Sequence, residues 1–200
     1  RDNPDFPRRG LYANTLVGFG FGNDFAHPDT GVQTGYNYQQ FEVGLRSYLQ
    51  LNRVIPQLNE GHVLAFRVNF GHQFGDLYPV ARRFTVGKTN NIASAIRGFQ
   101  SADFGLSRTY ATSSLEYRYD FGLQTVATQT VIGIVFADLG WASSATGFPE
   151  YETPLFASAG VGVQVNLGFG GVLLPALRFD YAFSERHPTG EFRFRVGGVY

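Results

Sequence analysis

The chain has no cysteine and no methionine among its 200 residues. Without cysteine there can be no disulfide and no thiolate metal site, and the redox compartment stays open. Basic excess is missing too, because 16 Lys and Arg are matched by 16 Asp and Glu. That balance gives no electrostatic footprint for nucleic acid. No run approaches the roughly 18 apolar residues that a membrane helix needs. The opening stretch RDNPDFPRRG has no apolar leader core and no initiating Met, as expected of a processed product or a piece of a longer protein. Mean hydropathy is −0.12, which simple hydropathy reads as soluble.

Hydropathy is blind to one class. A membrane β-barrel alternates lipid-facing and lumen-facing residues, so its average is unremarkable. The 25 Gly, 20 Phe and 11 Tyr of this chain suit that class. The alternation itself is present. In FEVGLRSYLQL (41–51), Phe41, Val43, Leu45, Leu49 and Leu51 share one face, and Glu42, Gly44, Arg46, Tyr48 and Gln50 the other. A helix would scatter these residues around its axis. Residues 63–73 oppose Leu64, Phe66, Val68 and Phe70 to Arg67, Asn69 and Gly71. Residues 110–121 oppose Ala111, Leu115, Tyr117, Tyr119 and Phe121 to Thr112, Ser114, Glu116, Arg118 and Asp120.

The cleanest case is LFASAGVGVQVNL (155–167), with Leu155, Ala157, Ala159, Val161, Val163, Val165 and Leu167 on one face. Residues 172–183 set Leu173, Pro175, Leu177, Phe179, Tyr181 and Phe183 against Arg178 and Asp180. Residues 191–200 set Phe192, Phe194, Val196 and Gly198 against Glu191, Arg193 and Arg195. Residues 10–21 and 125–141 alternate more weakly. In the second, Asp138 shares a parity with Ile132, Ile134 and Phe136, so either a bulge resets the register or these three sit beside the charge.

These segments predict an all-β chain of about eight antiparallel strands, each near or above the roughly nine to eleven residues of a tilted membrane strand. Short links (GFGG at 168–171, DFGLQ at 120–124) alternate with longer ones at 22–35 and 142–154, the habit of outer-membrane barrels. A β-sandwich or lipocalin-like barrel is the soluble alternative. Mixed charge within long strands, opposite faces of Phe, Tyr, Leu and Val, disfavours it. No domain boundary interrupts residues 1–200.

The longest non-alternating segment runs from about 78 to 108, too long for a loop without a task. In RDNPDFPRRG (1–10), FTVGKTNNIASAIRGF (84–99), VFADLGWA (135–142) and FRFRVGGVY (192–200), the chain resembles the bacterial surface antigen superfamily of outer-membrane protein insertases and two-partner secretion transporters. RDNPDFPRRG (1–10) resembles the family's entry to a barrel strand, and FTVGKTNNIASAIRGF (84–99) its sixth-loop motif, with the core at Arg97, Gly98 and Phe99. VFADLGWA (135–142) is similar to its Asp-x-Gly strand motif, and FRFRVGGVY (192–200) to its closing strand. The order and spacing match across the whole chain. Gly87-Lys88 departs from the family's frequent Gly-Gly. The family barrel has sixteen strands behind soluble repeat domains, whereas this sequence holds the material of the C-terminal half. It is thus part of a longer protein or a short member that pairs with a second barrel chain.

The resemblance implies a bacterial outer-membrane protein in which the loop folds into the lumen as a lid. Arg97 then pairs with Glu116 and Asp138 on the wall, since a planar guanidinium can bridge two carboxylates. Phe192, Phe194 and Tyr200 resemble the C-terminal assembly signal. The first and last strands of the family form a weak seam, which Gly197 and Gly198 would favour here. The implied function is assembly of outer-membrane proteins, with client strands templated at the seam. Secretion of a single partner, an anchor barrel for a fused lipase, and a gated pore are the rivals. Implied partners are outer-membrane lipids, a client barrel or secreted protein, and accessory assembly proteins, with no nucleic acid.

No enzyme activity, cofactor or metal is expected. His27, His62, His72 and His187 lack ligand spacing and read as loop or strand-end residues. There is no Gly-x-Ser-x-Gly elbow, GFGFGN (18–23) is not followed by a helix, and Asp103 in SADFG lacks the partners of a kinase triplet. Glu185, Arg186 and His187 before Pro188 read as a solvated loop tip.

Overall fold

A computed structural model describes residues 7–26, 33–75, 84, 96–100, 107–144, 155–169 and 172–197. They form one antiparallel sheet: β1 (Gly10–Ala26), β2 (Gln33–Gln50), β3 (His62–Gly75), β4 (Ser107–Asp120), β5 (Thr128–Ser144), β6 (Leu155–Phe169), β7 (Val172–Leu173), β8 (Leu177–Ser184) and β9 (Glu191–Val196). The order is β1-β2-β3-β4-β5-β6-β8-β9, with β7 pairing the end of β6. Among the described residues the sheet is not closed, and β1 and β9 are its edges.

Period-two sequences produce the two faces. Along β4, Tyr110, Thr112, Ser114, Glu116 and Arg118 are buried, while Leu115 and Tyr117 are exposed. On β6, Phe156, Ser158, Gln164 and Asn166 are buried, and Leu155, Val161 and Val163 are exposed. The polarity is inverted relative to a soluble protein. Arg178 is 0% exposed and Arg118 1%, against 59% for Leu139 and 69% for Leu155. An apolar face of this extent suits lipid, and polar residues enclosed on the other face suit a lumen.

The enclosed face is concave. Arg178 Nη2 on β8 lies 2.8 Å from Glu116 Oε1 on β4, with β5 and β6 between them in the sheet. In a flat sheet three strand spacings would hold the two backbones about 14 Å apart. Curvature brings the side chains together, and Gly162 on β6 leaves the space into which the Asp180 carboxylate projects.

The register settles the parity of Asp138. Pairing of β5 with β6 runs without a shift from Thr130 to Trp141, the only irregularity being between Thr128 and Thr130. Ile132, Ile134 and Phe136 therefore do stand beside Asp138 on the inner face. They are buried there with Tyr48, Val63, Ala65 and Ala182.

Two expectations are corrected. The link at 22–35 is mostly strand, because β1 and β2 stay paired out to Ala26 and Gln33, with a register shift between Gly22 and Phe25. The connection at 51–61, which carries a short 3₁₀ turn at Leu51–Arg53, is instead longer than the turns sharing its rim. The strand expected over 172–183 is broken at 174–176. Gly168 pairs with Leu173, but Val165 pairs with Leu177, so one extra residue sits on the later strand beside Pro175. Proline has no N–H to give the ladder, and a bulge is where a sheet tolerates it.

The outer face yields a test. Val161→Arg, in mid-β6, should lower stability in lipid vesicles by about 2–4 kcal/mol, and Val161→Leu by less than about 0.5 kcal/mol. Urea unfolding would measure both, and equal midpoints would mean that this face does not meet the bilayer.

Candidate functional site

The loop segment 96–100 lies on the concave face. Its backbone needs glycine at Gly98, where φ is +78°. A Cβ there would also lie 3.2 Å from that of Ala182 and 3.3 Å from that of Ser158. The flanking apolar residues seal the segment down: Ile96 and Phe99 are buried in a cluster with Phe84, Tyr110, Ala142 and Phe156. Phe99 meets Phe156 edge to face at 5.8 Å. Gly140, two residues after Asp138, leaves room for the Ile96 side chain, which fills the position its Cβ would take.

Arg97 is 2% exposed. Its Nε donates to Asp138 Oδ2 at 2.7 Å and its Nη2 to Asp138 Oδ1 at 2.6 Å, a bidentate fork. Nη1 donates to Glu116 Oε1 at 2.5 Å, Nη2 also to Ser114 Oγ at 2.7 Å, and the Arg97 amide to Asp138 Oδ2 at 3.1 Å. The guanidinium carbon stands 3.4 Å from the centroid of the Phe136 ring, stacked on its π face. Burial alone would pull the Arg97 pKa down, but Glu116 and Asp138 outweigh it and the net shift is upward. The side chain is a permanent cation.

A wider charge network surrounds it. Glu116 Oε2 also accepts from Arg118, at 2.8 and 2.6 Å, and Oε1 from Arg178 at 2.8 Å. Arg178 Nε reaches Asp180 at 2.9 and 3.0 Å, and Arg195 Nη2 reaches Asp180 Oδ2 at 2.7 Å. Four arginines thus meet three carboxylates across β4, β5, β8 and β9. Enclosed charges persist only when paired and hydrogen-bonded in this manner. The arrangement holds a loop against a wall, and it presents no nucleophile and base aligned on a substrate cleft.

The loop arginine and both wall carboxylates therefore come together in space. Phe192 and Phe194 lie on the outer face, with Phe194 4.9 Å from Phe179 in β8, and Tyr200 lies outside the described residues. Sequence reasoning missed Ser114, Phe136, Arg178 and Asp180 as members of the site. Their signal was present as parity, since each falls on the same face as Glu116 or Asp138.

A wall of this polarity, with an Arg-Gly-Phe loop latched to carboxylates on two adjacent strands, invites comparison with known families. The Omp85 superfamily domain matches residues 1–199. The chain belongs to the Omp85 superfamily. No curated protein matches it. Membership brings the general role of Omp85 proteins, insertion or transport of proteins at an outer membrane. In Omp85 terms the concave face is the barrel lumen and the apolar face the lipid side.

Arg97→Ala should weaken loop docking by about 3–5 kcal/mol, because Asp138 loses its bidentate partner. Glu116 keeps Arg118 and Arg178, so Asp138 dominates the loss. Arg97→Lys should recover only part, since an ammonium cannot reproduce the fork or the stacking on Phe136. Protease cleavage of the loop and heat resistance of the folded protein would rank wild type above Lys above Ala. Gly98→Ala should cost about 1–2 kcal/mol from its left-handed backbone alone, visible in the same cleavage assay.

Proposed function

We propose that residues 1–200 form the C-terminal half of an outer-membrane barrel that inserts client outer-membrane proteins by offering them a strand edge. The segment from about 78 to 108, most of which lies outside the described residues, serves as its lid in this reading, with Arg97, Gly98 and Phe99 fastened on Glu116 and Asp138. The observation that carries this reading is the weakness of β9. It pairs with β8 over Leu177–Ala182 alone, whereas β1 and β2 pair from Gly10 to Ala26. Its other side has no strand partner among the described residues. Gly197 follows at φ +106°, a conformation that ends an extended strand.

A short strand with a free edge is a template. The backbone groups on its outer side, which no described strand pairs, would offer an incoming chain a ladder, and this reading calls for no cofactor. The lipid-facing side chains Phe192, Phe194 and Val196 would meet the apolar face of a client strand, and Phe192 and Phe194 with Tyr200 would serve as the chain's own assembly signal. Lipids of the outer membrane, client chains and accessory assembly proteins are the partners in this reading.

Site-specific photo-crosslinking tests it. A photoreactive residue replacing Phe194 in the full-length protein should capture an unfolded client barrel chain. The same residue at Leu115 or Val135, in mid-sheet, should not. Capture of a passenger protein only at lumenal positions such as Gln164 would favour secretion through the pore, and absence of adducts at Phe194 would remove the edge from the mechanism.

A further inference from the structure

The loop that Arg97 pins to β4 and β5 also touches the edge strand. Gln100 Nε2 donates to Glu191 Oε1 at 2.7 Å, and Arg193 Nη2 donates to the Ile96 carbonyl at 3.3 Å. Between them, Ser184 Oγ at the end of β8 donates to the Gly98 carbonyl at 2.6 Å. Of the three inward side chains of β9, Glu191 and Arg193 reach the loop, and Arg195 reaches Asp180 within the charge network. Five consecutive residues therefore span the concave face from β4 to β9.

We infer that this segment is a clasp: the Gln100–Glu191 and Ile96–Arg193 contacts fasten β9 to the loop, so that undocking of Arg97 releases the β9 edge. The functional meaning of the release rests on the templating role proposed above, but the coupling itself needs no client. The physical case is one of leverage. The β8–β9 ladder is short, so two side-chain contacts from the loop add to the few others that hold the strand, the Arg195–Asp180 ion pair and the packing of Phe192 and Phe194 on Phe179. Both contacts depend on the loop staying in its seat, and the seat is set by the Arg97 fork 41 residues away in sequence at Asp138. Linkage makes the effect reciprocal: if a docked loop favours a paired β9, a paired β9 favours a docked loop by the same factor. A lid and a seam joined in this way cannot be open and shut independently.

Amide hydrogen exchange on the full-length protein in lipid nanodiscs, without client, tests the coupling. The Arg97 amide, bonded to Asp138, reports the loop, and the amides of the β8–β9 ladder report the edge. In Arg97→Ala the β8–β9 amides should exchange roughly tenfold faster while the β1–β2 ladder is unchanged. In Arg193→Ala, which leaves the fork and its carboxylates intact, the Arg97 amide should speed up by a similar factor. Glu191→Gln, milder than either, should move both reporters in the same direction by less. Loss of Arg97 amide protection in Arg193→Ala with Arg193→Lys restoring it would support the clasp.

Unchanged β8–β9 exchange in Arg97→Ala, with the loop shown by protease to be undocked, would overturn it. So would equal acceleration of every ladder, which would mean global loosening. Failure of client cross-linking at Phe194 would leave these exchange results standing, and failure of the coupling would leave the cross-linking result standing.

Discussion

A guanidinium held out of water by two carboxylates sets the terms for the rest of this structure. Arg97 could not be 2% exposed in a protein interior unless its charge were met on several sides. Asp138 meets it along a fork, Glu116 and Ser114 meet it from the neighbouring strand, and the Phe136 ring supplies the remaining face. Everything nearby is arranged so that those groups converge. β4 and β5 must pair in the register that sets Ser114 opposite Asp138 and Glu116 opposite Phe136. A slip of β5 by one residue would turn Asp138 and Phe136 outward, away from Ser114 and Glu116.

The same requirement explains why the sheet is polar where most proteins are apolar. A loop bearing a charge can lie on a sheet only if the sheet answers it, and the answer extends well past the first two carboxylates. Arg118 and Arg178 balance Glu116, and Asp180 balances Arg178 and Arg195. The apolar side chains displaced from the interior by this network occupy the outer face, where a bilayer is the solvent that accepts them. Such inside-out patterning follows from a period of two in the sequence combined with curvature in the sheet.

That period made the strands legible. The faces of 41–51, 110–121 and 155–167 could be assigned from alternation alone, because one-sided burial fixes parity residue by residue. Boundaries were less legible. Nothing in the composition of 22–35 marked its ends as paired strand, and a bulge beside Pro175 split what alternation presented as continuous. Asp138 shows the deeper limit. Its parity with Ile132, Ile134 and Phe136 left two readings open, a register shift or apolar side chains beside the charge. The second is the design of the site, in which apolar neighbours wall off a charge pair. Phe136 and Arg178 could not be assigned as partners of Arg97 and Glu116 from one sequence, since that depends on which strands lie adjacent and on how far the sheet bends.

The apolar collar around Arg97 decides how the latch behaves as a material. Ile96, Phe99, Phe156 and Phe136 keep the fork dry, and in a dry site the attraction between opposite charges is several times stronger than in water. The strength of the bond is therefore a property of the seal. Once the collar parts and water enters, the attraction drops and the ions gain hydration, so what resisted the first small displacement no longer resists the next. A latch built in this way fails abruptly: it stays rigid under small thermal strain and gives way in a single step under a larger one. It has only two working positions.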